Sequence, residues 1–335
     1  MTPSRSRTPR TVVVAAAAIA AVLGVSACSS SSDAKTIRLV AYSVPKPAYD
    51  ALAQAFEKTS AGENVRVSGS YGPSGAQSKA VLAGQKADYV GFSVEPDLTK
   101  LVPSKVDDTW NAGPTKGLVS ESVVVIVVRK GNPLHITGWD DLIKPGVKIV
   151  TPDPASSGSA KWNILAAYSH VLSQGGSEAQ AVGYLTKFFQ HVTSRAASGA
   201  VATTQFASGT GNVLISYEDE AITARANGAD VDYIVPEQSV RIENPAAVTK
   251  GAPKAAKDFL AFVESAPGQQ IFAAKGFRPV LAGTKIPVVK GANDPADPFP
   301  AVKQLTTVAQ LGGWKVVNDK FFGDNGIVTK IESSS

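Results

Sequence analysis

Three short turns hold the residues best suited to chemistry: Ser74-Gly75, Ser156-Ser157-Gly158-Ser159 and Ser198-Gly199-Ala200. The first two fall between a strand-like run and a helical one, and the third precedes a helical stretch through Thr203 and Phe206. The first N–H groups of a helix have no intrahelical acceptor and together carry about half a positive charge. Small residues let an anion approach those groups, and serine hydroxyls add donors. The chemistry open to such a set is capture of an anion by neutral dipoles. Serine or glycine before a helix is also an ordinary cap. The turns alone leave both readings open.

Other reactive residue types offer less. His135, His170 and His191 are isolated, with no ligand spacing between any two, so no metal site is expected. Glu218-Asp219-Glu220 opens a helical stretch, where acids ordinarily complement the helix dipole. Gly209-Thr210-Gly211 lacks the third glycine and following helix of a dinucleotide fingerprint, and no cofactor is expected. No G-x-S-x-G elbow is present, and no histidine closely follows Ser74 or Ser157, which argues against a serine hydrolase. The expectation is a protein that is not an enzyme.

The elements that must position the turns alternate in type. Strand-like runs cover 36–42, 65–70, 87–92, 122–129, 148–151, 213–217 and 231–235. Helical patterns cover 49–58, 76–83, 159–172, 181–192, 258–263 and 269–274, and the prolines from Pro279 to Pro300 suggest a loop-rich return. This alternation predicts an α/β fold built on parallel strands. Ser122–Arg129 is a β-branched run that fits a strand buried on both faces. In open α/β sheets, ligands bind at the carboxyl ends of the strands, where the three turns fall.

The amino-terminal stretch reads as an address. Arg5, Arg7 and Arg10 precede an apolar run from Val12 to Val25, and Val25-Ser26-Ala27 leads to Cys28, the only cysteine. A basic start, a short apolar run and small residues form a secretory signal, expected over residues 1–27. The run is short for a spanning helix, which needs about 20 residues. Of the 33 basic residues, 3 lie in that segment and no acids do, leaving 30 − 28, or +2. So small a charge, without a basic stripe, points to no nucleic-acid partner.

From about Thr36 to Lys330 the chain resembles the sulfate-binding proteins of bacterial ABC importers. The resemblance rests on ordered blocks: Tyr71-Gly72-Pro73-Ser74-Gly75, Val128-Arg129-Lys130-Gly131-Asn132-Pro133, the stretches 139–147 and 151–163, Val213–Ala221, Gly276-Phe277-Arg278-Pro279 and Leu311-Gly312-Gly313-Trp314. It implies a two-lobed periplasmic-binding fold of the class II type, with 36–120 and 241–335 as lobe 1, 121–240 as lobe 2, and crossings near Glu121 and Ser239. Cys28 matches the lipobox. Diacylated there, the chain would be held on the outer face of the cell membrane, with 28–35 as a tether; two acyl chains suffice for stable anchoring.

By position, the resemblance implies that sulfate is bound by Ser74, Ser157, Gly158, Ser159, Ala200 and Tyr217, backed by Gly75 and Lys161. Six charge-assisted bonds at about 1.5–3 kcal/mol each, set against the cost of association, leave roughly micromolar affinity without a salt bridge. A donor-only pocket would disfavour hydrogen phosphate, whose proton would face other donors. Three features depart from the family pattern: Tyr217 stands for tryptophan, Ser159 for glycine, and Asp153 and Lys161 for asparagine and arginine. Asp153 is expected to turn away from the ligand. Lys161 reads either as a charge behind the anion or as a solvated helix residue. The implied partners are sulfate or thiosulfate, a membrane permease and its ATPase, served by a monomer. Molybdate or phosphate is the alternative cargo.

Overall fold

The computed structural model describes residues 35–334. The signal segment, Cys28 and all of the tether except Lys35 lie outside the described residues; Lys35 opens the first strand. The elements in order are β1 (Lys35–Tyr42), α1 (Lys46–Phe56), β2 (Val65–Gly72), α2 (Ser74–Leu82), β3 (Tyr89–Gly91), α3 (Glu95–Thr99), β4 (Leu118–Arg129), β5 (Ile149–Pro152), α4 (Gly158–Ser173), α5 (Glu178–Gln190), β6 (Val192–Ala196), α6 (Gly199–Ala207), β7 (Val213–Tyr217), α7 (Glu218–Ala226), β8 (Val231–Ile234), β9 (Gln238–Val248), α8 (Lys254–Glu264), α9 (Ala266–Ala274), β10 (Gln304–Thr306), α10 (Gly313–Val317) and α11 (Ile327–Ser333).

The result is a two-lobed α/β fold. In the first lobe β2, β1 and β3 are parallel, and β9 closes the sheet antiparallel to β3. In the second, β6, β5 and β7 are parallel, and β4 runs antiparallel to β7 and β8. The parallel strands expected from the alternation form the outer part of each lobe's sheet, with β2 and β6 at the edges and β9 and β4 between the two sets. The β-branched run of β4, by contrast, is antiparallel to every neighbour. Its central residues are buried on both sides because α7 and α4 cover it.

Two strands are shared. Residues 118–123 of β4 pair with 241–245 of β9; beyond that ladder, β4 continues into the second lobe and β9 into the first. The chain then crosses again at Arg278, whose N–H and carbonyl both bond to Glu121 at 2.8 Å. Helices α8 and α9 pack on the first lobe, where Phe259 meets Phe56 and Phe272 meets Tyr49.

The following stretch behaves otherwise than expected. Residues 241–335 are expected in lobe 1, and Val280 still bonds Gln269 of α9, yet further along the tail contacts fall on second-lobe elements. Asn293 bonds Tyr233 and Arg225, Trp314 stacks edge-on to Trp162 at 4.9 Å, Phe321 meets Tyr168, and Glu332 pairs with Arg195 at 2.9 Å. Large aromatic side chains spaced along an otherwise polar tail need an apolar face to cover, and α4 and α5 supply it.

Candidate functional site

The sequence of each strand end decides what stands at the cleft. In the first lobe β2 runs into Pro73, and Ser74 begins α2; β3 runs into Phe92-Ser93, and α3 begins at Glu95-Pro96. In the second, β5 leads through Asp153–Ser157 to α4, β6 through Ser198 to α6, and Tyr217 ends β7 directly before α7. Every predicted site residue therefore sits at the carboxyl end of a strand or the start of the helix after it.

The predicted residues do come together, around one that the sequence reading missed. Ser93 is fully buried. Its hydroxyl lies 2.7 Å from the Tyr217 hydroxyl across the cleft. Its carbonyl accepts the Trp162 indole N–H at 2.8 Å and the Asn244 side-chain amide at 3.1 Å, and its N–H donates to Ser74 Oγ at 3.1 Å. Gly158 abuts it so closely that an added Cβ would lie 2.7 Å from Ser93 Oγ. The signal for Ser93 was available as a small residue between a strand and a Glu-Pro helix start. The adjacent Val94 and the shortness of β3 and α3 concealed it.

The three serine turns behave differently, which separates capping from donation. Ser198 is a cap: its side chain accepts from the Val201 N–H. Ser74 is spent on Asp97, to which its hydroxyl donates at 2.7 Å, so its proton is not offered to the cleft. The Gly75 N–H donates to the Ser156 carbonyl at 3.2 Å, joining the lobes. Ser157, 3% exposed at the start of α4, makes no capping bond. Gly158, Ser159 and Ala200 lie in the first turns of α4 and α6, whose N–H groups have no intrahelical acceptor. Ser159 and Gly199 face each other; a Cβ on Gly199 would meet Ser159 Oγ at 2.9 Å and Val44 Cγ2 at 3.0 Å.

Tyr217 is buried and its phenol is pushed well above its ordinary pKa by burial; the Ser159 and Ser93 hydroxyls oppose that shift. It remains a neutral hydroxyl, able to donate or accept. Lys161 fits neither expected role: its Nζ donates to Asn318 Oδ1 at 2.9 Å and lies over the Phe322 ring, and burial lowers its pKa while Asp97 works against the lowering. The Asp153 carboxylate accepts from the Ala155 N–H at 2.8 Å within its own turn.

The acids do stand in the first turn of α7, but they are not exposed. All three are buried. Glu218 pairs with Arg278 at 2.7 Å, Asp219 accepts from Ser122 at 2.7 Å, and Glu220 accepts from Thr203 at 2.5 Å. Burial, followed by the charge of Glu220, pushes Asp219 well up; burial raises Glu220 to about 7 despite Thr203. What the whole arrangement offers chemically is a packed interlobe junction of helix-start N–H groups and hydroxyls from both lobes.

The family model that matches residues 37–278 describes bacterial extracellular solute-binding proteins. A sulfate-binding protein of Synechococcus elongatus is 35% identical, over 96% of this chain and 95% of its own. A thiosulfate-binding protein of Pseudomonas aeruginosa is 32% identical, over 88% of this chain and 91% of its own. The solved structure of the sulfate-binding protein SubI from Mycobacterium tuberculosis H37Rv is similar with a TM-score of 0.80 and 43% identity, covering 86% of this chain and 99% of that one.

Proposed function

The chain belongs to the bacterial extracellular solute-binding proteins, and on that footing we propose that it captures sulfate or thiosulfate for an ABC importer. The observation that carries the reading is the meeting of Ser74, Gly158 and Tyr217 around Ser93, from both lobes, with the start of α6 against Ser159 and no capping bond made by Ser157. Sulfate and thiosulfate relatives align over most of the chain and support the same cargo. The ligand set is the backbone N–H groups of Ser74, Gly158, Ser159 and Ala200, with the hydroxyls of Ser157 and Tyr217. Gly75 and Ser156 tie the lips of the cleft.

A dianion suits this set. Fixed dipoles surround it at no reorganisation cost, and it brings no proton needing an acceptor. Loaded protein would deliver its cargo to a membrane permease driven by an ATPase, acting as a monomer outside the cytoplasm and held by acyl chains on Cys28. No catalytic step is part of this reading, and the relatives that support it are solute-binding proteins.

Calorimetric titration of the chain with sulfate, thiosulfate, molybdate and phosphate tests the cargo. Ser157→Ala and Tyr217→Phe are each expected to weaken sulfate binding about tenfold, the loss of one charge-assisted bond. Unchanged affinity in both would put the ligand elsewhere, and ester or phosphate turnover lost in Ser157→Ala would favour a hydrolase.

A further inference from the structure

Tyr42 closes β1, the strand between β2 and β3. Its register partner on β2 is Gly72, two residues before Ser74, and its neighbour Ala41 pairs with Gly91, two residues before Ser93. The three adjacent strands thus end at one edge and bring Tyr42, Ser74 and Ser93 there together. Two residues further on, Val44 lies against the Gly199 and Ser159 helix starts of the second lobe. The β1 end therefore faces the same cleft.

The Tyr42 hydroxyl is buried, with the residue 3% exposed, and has no hydrogen-bond partner. Buried polar groups are ordinarily paired, and an unpaired one calls for an explanation. Burial, with the nearby Tyr217, Asp219 and Glu220, holds this phenol well above its ordinary pKa. It carries its proton at every physiological pH.

We propose that Tyr42 is a further ligand-contacting residue, its hydroxyl donating to the bound tetrahedral dianion from the first lobe opposite Tyr217. The proposal rests on the anion-capture reading above and adds a donor that neither the three turns nor the carried-over ligand set contains. It gives the first lobe a side-chain donor besides Ser93, since Ser74 commits its proton to Asp97. Closure onto an anion would then be drawn from both sides: Tyr42 and the start of α2 from one, Ser157, Tyr217 and the starts of α4 and α6 from the other.

The test compares the full chain in detergent with its Tyr42→Phe variant by sulfate calorimetry, with the unliganded melting temperature of each. The change removes only a hydroxyl that has no protein partner, so packing is kept. The expected result is sulfate binding about tenfold weaker in the variant, with an unliganded melting temperature equal to or above that of the parent. Equal affinities, with the parent binding sulfate, would overturn the assignment and leave the cargo intact. So would a loss of affinity accompanied by a lowered unliganded melting temperature, which is the mark of a packing role. A parent chain that binds none of the tetrahedral oxyanions would instead remove the reading on which the proposal stands.

Discussion

Glu220 meets opposing demands: it is largely buried, and its carboxylate accepts a hydrogen bond from the Thr203 hydroxyl. An isolated charge there is unfavourable, which is why its pKa rises to about 7 from an ordinary 4.5. An acid held above its unfolded pKa contributes stability that is complete below about 4.5 and is lost as pH rises through about 7. The full change amounts to roughly 3 kcal/mol. Thermal unfolding between pH 5 and 8 should therefore show the melting temperature falling with pH, and Glu220→Gln should flatten that slope. An equal slope in the variant would mean that Glu220 is not the group responsible. Read from sequence alone, the three acids simply complement the helix dipole, and they do open α7. Nothing local announces that Ser122, Thr203 and Arg278, from distant parts of the chain, come to cover them. The turn serines were visible as candidates, but their division into cap, carboxylate partner and free hydroxyl depends on Val201, Asp97 and the absence of a capping bond at Ser157.

Among the elements, α4 shows most directly why its first residue is glycine. Gly158 is not at a positive φ; its requirement is space, because Ser93 of the opposite lobe occupies the volume a methyl group would take. Gly158→Ala is expected to leave each lobe folded and to hold the cleft apart, weakening sulfate binding about a hundredfold, roughly 2.7 kcal/mol. Calorimetry with a melting curve of the unliganded variant checks this, and undiminished affinity would show that closure does not need the contact. Elements with a strong period were legible: β7 and the bulk of α4 stand where their patterns placed them. Helix α5 was set to run through Val192, where the chain already enters β6. That five-residue strand, with a half-exposed face, has too few apolar positions to signal itself. Strand β9 was invisible for another reason. Its sequence, Gln-Ser-Val-Arg-Ile-Glu-Asn-Pro-Ala-Ala-Val, mixes charges with a proline, and its pairing with β4, β3 and β10 comes from the tertiary arrangement.

For the whole molecule, ligand and lobe contact are one equilibrium. Trp162 to Ser93, Gly75 to Ser156 and Ser93 to Tyr217 all join the lobes, and an anion that binds only when they meet shifts the population toward that state. Sulfate at a hundred times its dissociation constant should stabilise the chain by about 2.7 kcal/mol. That corresponds to a rise of several degrees in melting temperature. No rise at saturating sulfate would contradict the linkage. The two-lobed plan was legible from the order of strands, turns and matching blocks. The third passage of the chain was not, because it rests on Arg278 bridging Glu121 and Glu218 and on aromatic side chains of the tail finding α4. The shared ladder of β4 and β9 constrains how these halves can swing. Its rungs, from Leu118 with Pro245 to Val123 with Arg241, tie two oppositely directed chains side by side, so neither can flex without carrying the other. The pair acts like the spine of a book: it permits the covers to turn about a single line and resists their sliding past one another. One label on each cover would then suffice to follow the entire motion.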